Sequence, residues 1–123
     1  MDERALSGVT LAYIGDAVFE VCVRARLIGK GYARPKDLNK EALSFVTAAS
    51  QSAALDRILP LLTEEETDVY RRGRNASGVA APKSSDAVTY RRATGLEALF
   101  GWLYLTGKND RVKELFGFAF PEE

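Results

Sequence analysis

Leu11, Ile14, Val18, Val21, Ala25 and Ile28 recur at steps of three and four residues. Nowhere does the 123-residue chain alternate apolar and polar residues as a half-buried strand would. This periodicity points to an all-α fold. Gly29 and Gly31 close the first helix. Pro35 suits the first turn of a second, which takes in Leu38, Ala42 and Leu43. An Ala/Ser-rich helix is predicted over Phe45–Ile58, stopped by Pro60. Thr63-Glu64-Glu65-Glu66 reads as a capping box that opens a short helix to about Arg74. Residues 75–85 carry Gly, Pro and three serines and read as a loop. Ser85 or Asp86 caps a long helix to Thr106, and a last short helix opens at Asn109 or Asp110 and ends near Phe116.

A chain of this length is expected to form one domain over residues 1–123, burying about two thirds of its unfolded surface in a single core. Seventeen basic residues balance seventeen acidic ones, so attraction to a polyanion must come from local clustering. The sequence has no histidine, which excludes imidazole bases, Ser-His triads and most zinc sites. Its single cysteine, Cys22, excludes an intrachain disulfide framework. No signal-type segment follows Met1, and the longest apolar runs are too short to span a bilayer. A soluble cytoplasmic protein without membrane association is the expectation.

Two carboxylates stand where apolar residues are expected. On the first helix Asp16 points away from the Leu11/Ile14/Val18/Val21 stripe, but Ala12, Phe19, Val23 and Leu27 lie near it. A helix apolar on nearly all sides should be buried. Glu20 shares the Asp16 face, and Arg24 follows one turn later. Glu97 is the one charge in the run Leu96 to Leu105. Gly15, Gly95 and Gly101 flank these acids inside predicted helices, which suggests close approach of something. Two readings compete. Asp16 and Glu97 form ion pairs with Arg24, Arg91 or Arg92, or they hold a hard cation such as Mg²⁺, which needs no histidine.

Between Arg71 and Arg92, six basic residues (Arg71, Arg72, Arg74, Lys83, Arg91 and Arg92) face the single Asp86, a local charge of +5. A basic Gly/Ser-containing loop is commonly no more than a solvated one. Beside a Mg²⁺ site it suggests phosphodiester chemistry, with Arg71, Arg72, Arg74 and Lys83 as candidate RNA contacts.

Leu11-Ala12-Tyr13-Ile14-Gly15-Asp16-Ala17-Val18 resembles the signature helix of the ribonuclease III catalytic domain, whose Leu-Gly-Asp-Ala-Val core carries a metal-binding aspartate. Ala93-Thr94-Gly95-Leu96-Glu97-Ala98-Leu99-Phe100-Gly101 resembles that family's second catalytic helix, whose Glu-Ala-Leu-Gly pattern carries a metal-binding glutamate. The resemblance covers most of the chain and is nearest to the short bacterial subgroup called Mini-ribonuclease III, which lacks the double-stranded-RNA-binding domain. Two acids typical of the wider family are replaced by Ala12 and Thr94, as in the subgroup. Only Asp16 and Glu97 therefore carry over as catalytic metal ligands, with the Thr94 hydroxyl as a candidate for orienting water.

The resemblance implies an all-helical homodimer that hydrolyses double-stranded RNA with Mg²⁺, Mn²⁺ substituting, and for the subgroup it implies maturation of the 23S ribosomal RNA precursor. Tyr13 and Phe19 on the signature helix are the candidate interface residues. The rival reading is a catalytically inactive helical module that binds RNA or a protein, with Asp16 and Glu97 as core ion-pair members.

Overall fold

A computed structural model describes residues 2–76 and 86–122. Residues 77–85 of the expected loop, Lys83 among them, lie outside the described residues. The described residues form six α-helices and two short 3-10 turns, and no strand occurs among them. The helices are α1 (Gly8–Gly29), α2 (Pro35–Val46), α3 (Ala48–Ile58), α4 (Glu64–Arg74), α5 (Ala87–Leu105) and α6 (Asn109–Ala119). Helix α5 runs through the centre, packed by α1, α3 and α4.

Local chemistry sets most helix ends. Ser7 Oγ accepts from the Thr10 amide and starts α1 three residues before Leu11. Thr63 and Glu66 exchange reciprocal hydrogen bonds at the start of α4, the capping box expected there. Asp86 accepts from the Thr89 amide at 2.8 Å and caps α5. Gly107, at φ 76°, terminates α5 in a conformation that disfavours side chains.

Two boundaries differ from expectation. The helix predicted over Phe45–Ile58 starts at Ala48, and Phe45 and Val46 end α2 instead, because Thr47 is extended (φ −68°, ψ 151°) and its Oγ1 caps α3 through the Ser50 amide. A cap hydroxyl there competes successfully with continuation of the helix. At the other end α6 runs to Ala119 rather than Phe116. Arg57 Nε donates to the Ala119 carbonyl at 2.7 Å, and Arg26 donates to the Phe120 carbonyl, so the last turn is tied to α3 and α1.

The core face of α1 is Leu11, Ala12, Gly15, Phe19, Val23 and Leu27. Phe19 packs against Phe100, Phe116 and Phe120 with ring centroids 5.8–5.9 Å apart. The Leu11-to-Ile28 stripe read from the sequence is mostly on the other side, where Val21 is 67% exposed. Helix α1 therefore has two apolar faces, and the fold of one chain buries only one. Phe19 is 1% exposed, which corrects its assignment as an interface residue, whereas Tyr13 is 83% exposed.

The interior glycines explain how α1 and α5 meet. A Cβ on Gly15 would lie 1.6 Å from the Glu97 carbonyl oxygen, and one on Gly101 would lie 2.0 Å from the Leu11 carbonyl oxygen. Gly95 is pressed against Tyr70 of α4 in the same way, at 2.6 Å. What approaches these glycines is a neighbouring helix.

Candidate active site

The backbone contact between Gly15 and Glu97 brings the neighbouring Asp16 side chain against the Glu97 side chain, and the two carboxyl groups lie within hydrogen-bonding reach. Asp16 is at the exposed rim, and Glu97 is half-buried beneath it. The Gln51 amide, from α3, also reaches Glu97, and the charge of Glu20, one turn along α1 from Asp16, is felt there as well. Burial, the Asp16 carboxylate beside it and the charge of Glu20 push the Glu97 carboxyl up to about 8.

No cation of the chain relieves this repulsion among the described residues. Arg24 donates to Glu20 at 3.1 Å, and Arg92 pairs with Asp56 while also holding Ser52 of α3. Arg91 is exposed. The ion pairs that would have made Asp16 and Glu97 structural are not formed, and that removes the basis of the inactive-module reading.

Glu66 shows what a structural buried acid looks like in the same molecule. It accepts from the Thr63 amide at 2.9 Å and takes both Nε and Nη2 of Arg111, at 2.9 and 2.8 Å. Although burial opposes ionisation, the Arg111 and Thr63 hydrogen bonds hold its carboxyl below the usual range. Glu97 has moved in the opposite direction, because burial and the neighbouring negative charges disfavour its anion and no guanidinium offsets them.

A bound metal must find oxygen here. Among the described residues no three His, Cys, Asp or Glu side chains gather to hold an ion. Two carboxylates converge, however, and beside them Gln51 Oε1 is buried with no hydrogen-bond partner. This all-oxygen set fits a hard cation that keeps several of its waters, as Mg²⁺ does. Cys22 offers no rival chemistry, because burial pushes its thiol up, away from the nucleophilic thiolate.

The remaining candidates are more scattered. Thr94 is buried, and its hydroxyl donates to the Tyr90 carbonyl at 3.0 Å, which leaves its lone pairs as the free function. Arg71 is exposed beside Asp68, and Arg74 lies over the Tyr70 ring and donates to Asn75. Arg72 reaches the carbonyls of Leu6 and Arg4, and so fastens the segment preceding α1. Together with Arg92, it shows that part of the +5 cluster serves the fold.

Sequence reasoning did not single out Gln51. The signal was present: Gln51, Ala54, Leu55 and Ile58 form the buried face of α3, and Gln51 is its one polar member.

The ribonuclease III domain family matches residues 9–108, a span that contains both carboxylates. The chain belongs to the ribonuclease III family. It is 52% identical to Mini-ribonuclease 3 of Symbiobacterium thermophilum over 89% of this chain and 85% of that protein. It is 43% identical to Mini-ribonuclease 3 of Brevibacillus brevis over 97% of this chain and 89% of the relative. A crystal structure of a protein from Fusobacterium nucleatum superposes with a TM-score of 0.87 at 32% identity, covering 99% of each chain. As a ribonuclease III family member, the chain is an endoribonuclease.

Proposed function

We propose that this endoribonuclease hydrolyses double-stranded RNA at the Asp16–Glu97 pair with Mg²⁺, Mn²⁺ substituting, and that its physiological substrate is the 23S ribosomal RNA precursor in the cytoplasm. The observation that carries the reading is the convergence of two carboxyl groups that share no cation of their own. Asp16 and Glu97 would hold the metal, which supplies Lewis acidity at the scissile phosphate and a more acidic attacking water. The chain's own part is positional. The Gly15–Glu97 backbone contact sets the spacing of the two acids, and the fully buried Leu96, Leu99 and Phe100 seat α5 in the core behind them. No imidazole is present to move protons.

Duplex recognition falls to the basic side chains near the α4–α5 connection, Arg71, Arg74 and Lys83 with Arg72 beside them. A-form RNA presents phosphates and 2′-hydroxyls rather than readable base edges, so cationic side chains can recognise it by shape. Two strands need two cuts, which a two-fold homodimer supplies. The unburied apolar face of α1 is the surface for it. Val21 and Tyr13 are exposed, and a hollow of about 360 Å³ lies among Ile14, Val18, Val21, Cys22, Tyr104 and Val112. Exposed apolar surface of this kind marks an interaction site.

The test is incubation of purified protein with duplex and single-stranded RNA, with and without Mg²⁺, read on a gel. Cleavage of the duplex alone, only with metal, and lost in both Asp16→Asn and Glu97→Gln, is expected. Wild-type cleavage by either variant would place the site elsewhere.

A further inference from the structure

Gln51 is 4% exposed, and its Oε1 is the one buried side-chain oxygen or nitrogen without a hydrogen-bond partner among the described residues. The amide orientation is set locally, since Nε2 donates to the Val46 carbonyl at 3.2 Å. That bond bridges the end of α2 to α3 across the Thr47 break and assigns the donor side of the amide, leaving Oε1 as the unpartnered acceptor. The same amide lies against Glu97, its N–H side donating to that carboxylate, so the unpartnered Oε1 stands next to the acid. A buried acceptor left unpaired costs about 1–3 kcal/mol, so an incoming donor at Oε1 is favoured by a comparable amount.

We propose that Gln51 is a positioning residue of the metal site, its Oε1 accepting a hydrogen bond from a water in the hydration shell of the cation held by Asp16 and Glu97. This rests on the metal-site reading above. The chemistry matches on both sides. A cation with two protein carboxylates keeps most of its waters, and every such water is a strengthened donor. The amide oxygen accepts without adding charge beside Asp16, Glu20 and Glu97, so it orients the hydrated ion without increasing the repulsion already present. Outer partners of this kind commonly change metal affinity by about 10–100-fold. Gln51 comes from α3, so the cation would draw α1, α3 and α5 together through one water.

The test uses Mn²⁺ as the probe, because its enhancement of water-proton relaxation reports binding without RNA or turnover. Gln51→Met keeps the volume and removes the acceptor, and is expected to weaken Mn²⁺ binding about tenfold. Gln51→Glu restores the acceptor and adds charge, and should bind Mn²⁺ at least as tightly as the parent. Equal Mn²⁺ affinity for Gln51→Met and the parent would overturn the role of Gln51. If Gln51→Met does not fold, a folded Gln51→Glu that binds more weakly than the parent overturns it instead. Asp16→Asn separates the two readings. If it binds Mn²⁺ as the parent does, the metal site itself is wrong and the proposal falls with it. If it loses Mn²⁺ while Gln51→Met does not, only the role of Gln51 fails.

Discussion

A β-carbon on Gly15 would lie 1.6 Å from the carbonyl oxygen of Glu97. The backbones of α1 and α5 therefore touch one residue away from Asp16 and at Glu97 itself. A methyl group cannot be accommodated by rotating a side chain, because the obstacle is backbone. Gly15→Ala is expected to destabilise the protein by at least about 3 kcal/mol, at the severe end for a single substitution. Gly117 on the exposed side of α6 has nothing within 4 Å of its Cβ position. Gly117→Ala should be neutral or stabilising by up to about 1 kcal/mol through helix propensity. Thermal unfolding of both variants checks the contrast.

The pH dependence of stability should follow Glu97. Its folded value of about 8 lies above the ordinary glutamate value of 4.5, so between these limits the folded state holds a proton that the unfolded state has released. In the absence of divalent metal, stability falls as pH rises through that window and levels off above it. Glu97→Gln should abolish this fall and be more stable than the parent at pH 9 by about 1–3 kcal/mol. Urea unfolding in EDTA at pH 5, 7 and 9 measures it; a parent as stable at pH 9 as at pH 5 would contradict the raised value.

Glu66 should behave in the opposite sense. Its carboxyl is held low by Arg111 and Thr63, so its contribution is complete above the ordinary glutamate range and is lost as pH falls through the folded value. Removing Arg111 leaves Glu66 buried without its cation. Arg111→Ala is expected to cost about 3 kcal/mol at pH 7, and less in acid where Glu66 is neutral. Unfolding midpoints at pH 7 and pH 3 distinguish the two conditions.

The exposed α1 face bears on assembly. Val21→Asp places a charge on a surface that the single chain leaves open, so the fold should be retained, with a helical circular-dichroism spectrum like that of the parent. Dimerisation should weaken by more than about tenfold, since a buried unpaired charge costs several times the thermal energy. Sedimentation at micromolar concentration checks it. Phe19→Ala should instead unfold the protein, because that ring belongs to the core.

Among the basic residues, Arg71→Glu and Arg74→Glu are the clean probes of RNA binding. Each is expected to weaken duplex affinity and to lower the salt slope by about one unit for every phosphate it no longer neutralises. Arg72→Glu carries a stability cost as well, because its guanidinium holds the Leu6 carbonyl. Binding unchanged across a salt titration in all three would move the RNA surface elsewhere.

The helices were legible in the sequence because capping and breaking are local chemistry: Thr63 with Glu66, Asp86 with Thr89 and the positive φ of Gly107 act over a few residues. The sequence also marked Asp16 and Glu97, since a charge within an apolar run is anomalous whatever surrounds it. The boundary between α2 and α3 is placed too early by the sequence pattern, because Phe45 and Val46 fit the apolar period of either helix and the hydroxyl of Thr47 decides the matter. Which apolar face of α1 is core depends on packing between helices. Both faces have helical period, and only the position of the Phe100, Phe116 and Phe120 rings distinguishes them. The tertiary structure also decided which arginines are committed to the fold and that Gln51 stands beside Glu97. Those facts depend on groups 40 or more residues apart in the chain, as Arg92 and Ser52 are, and no local pattern encodes such a distance.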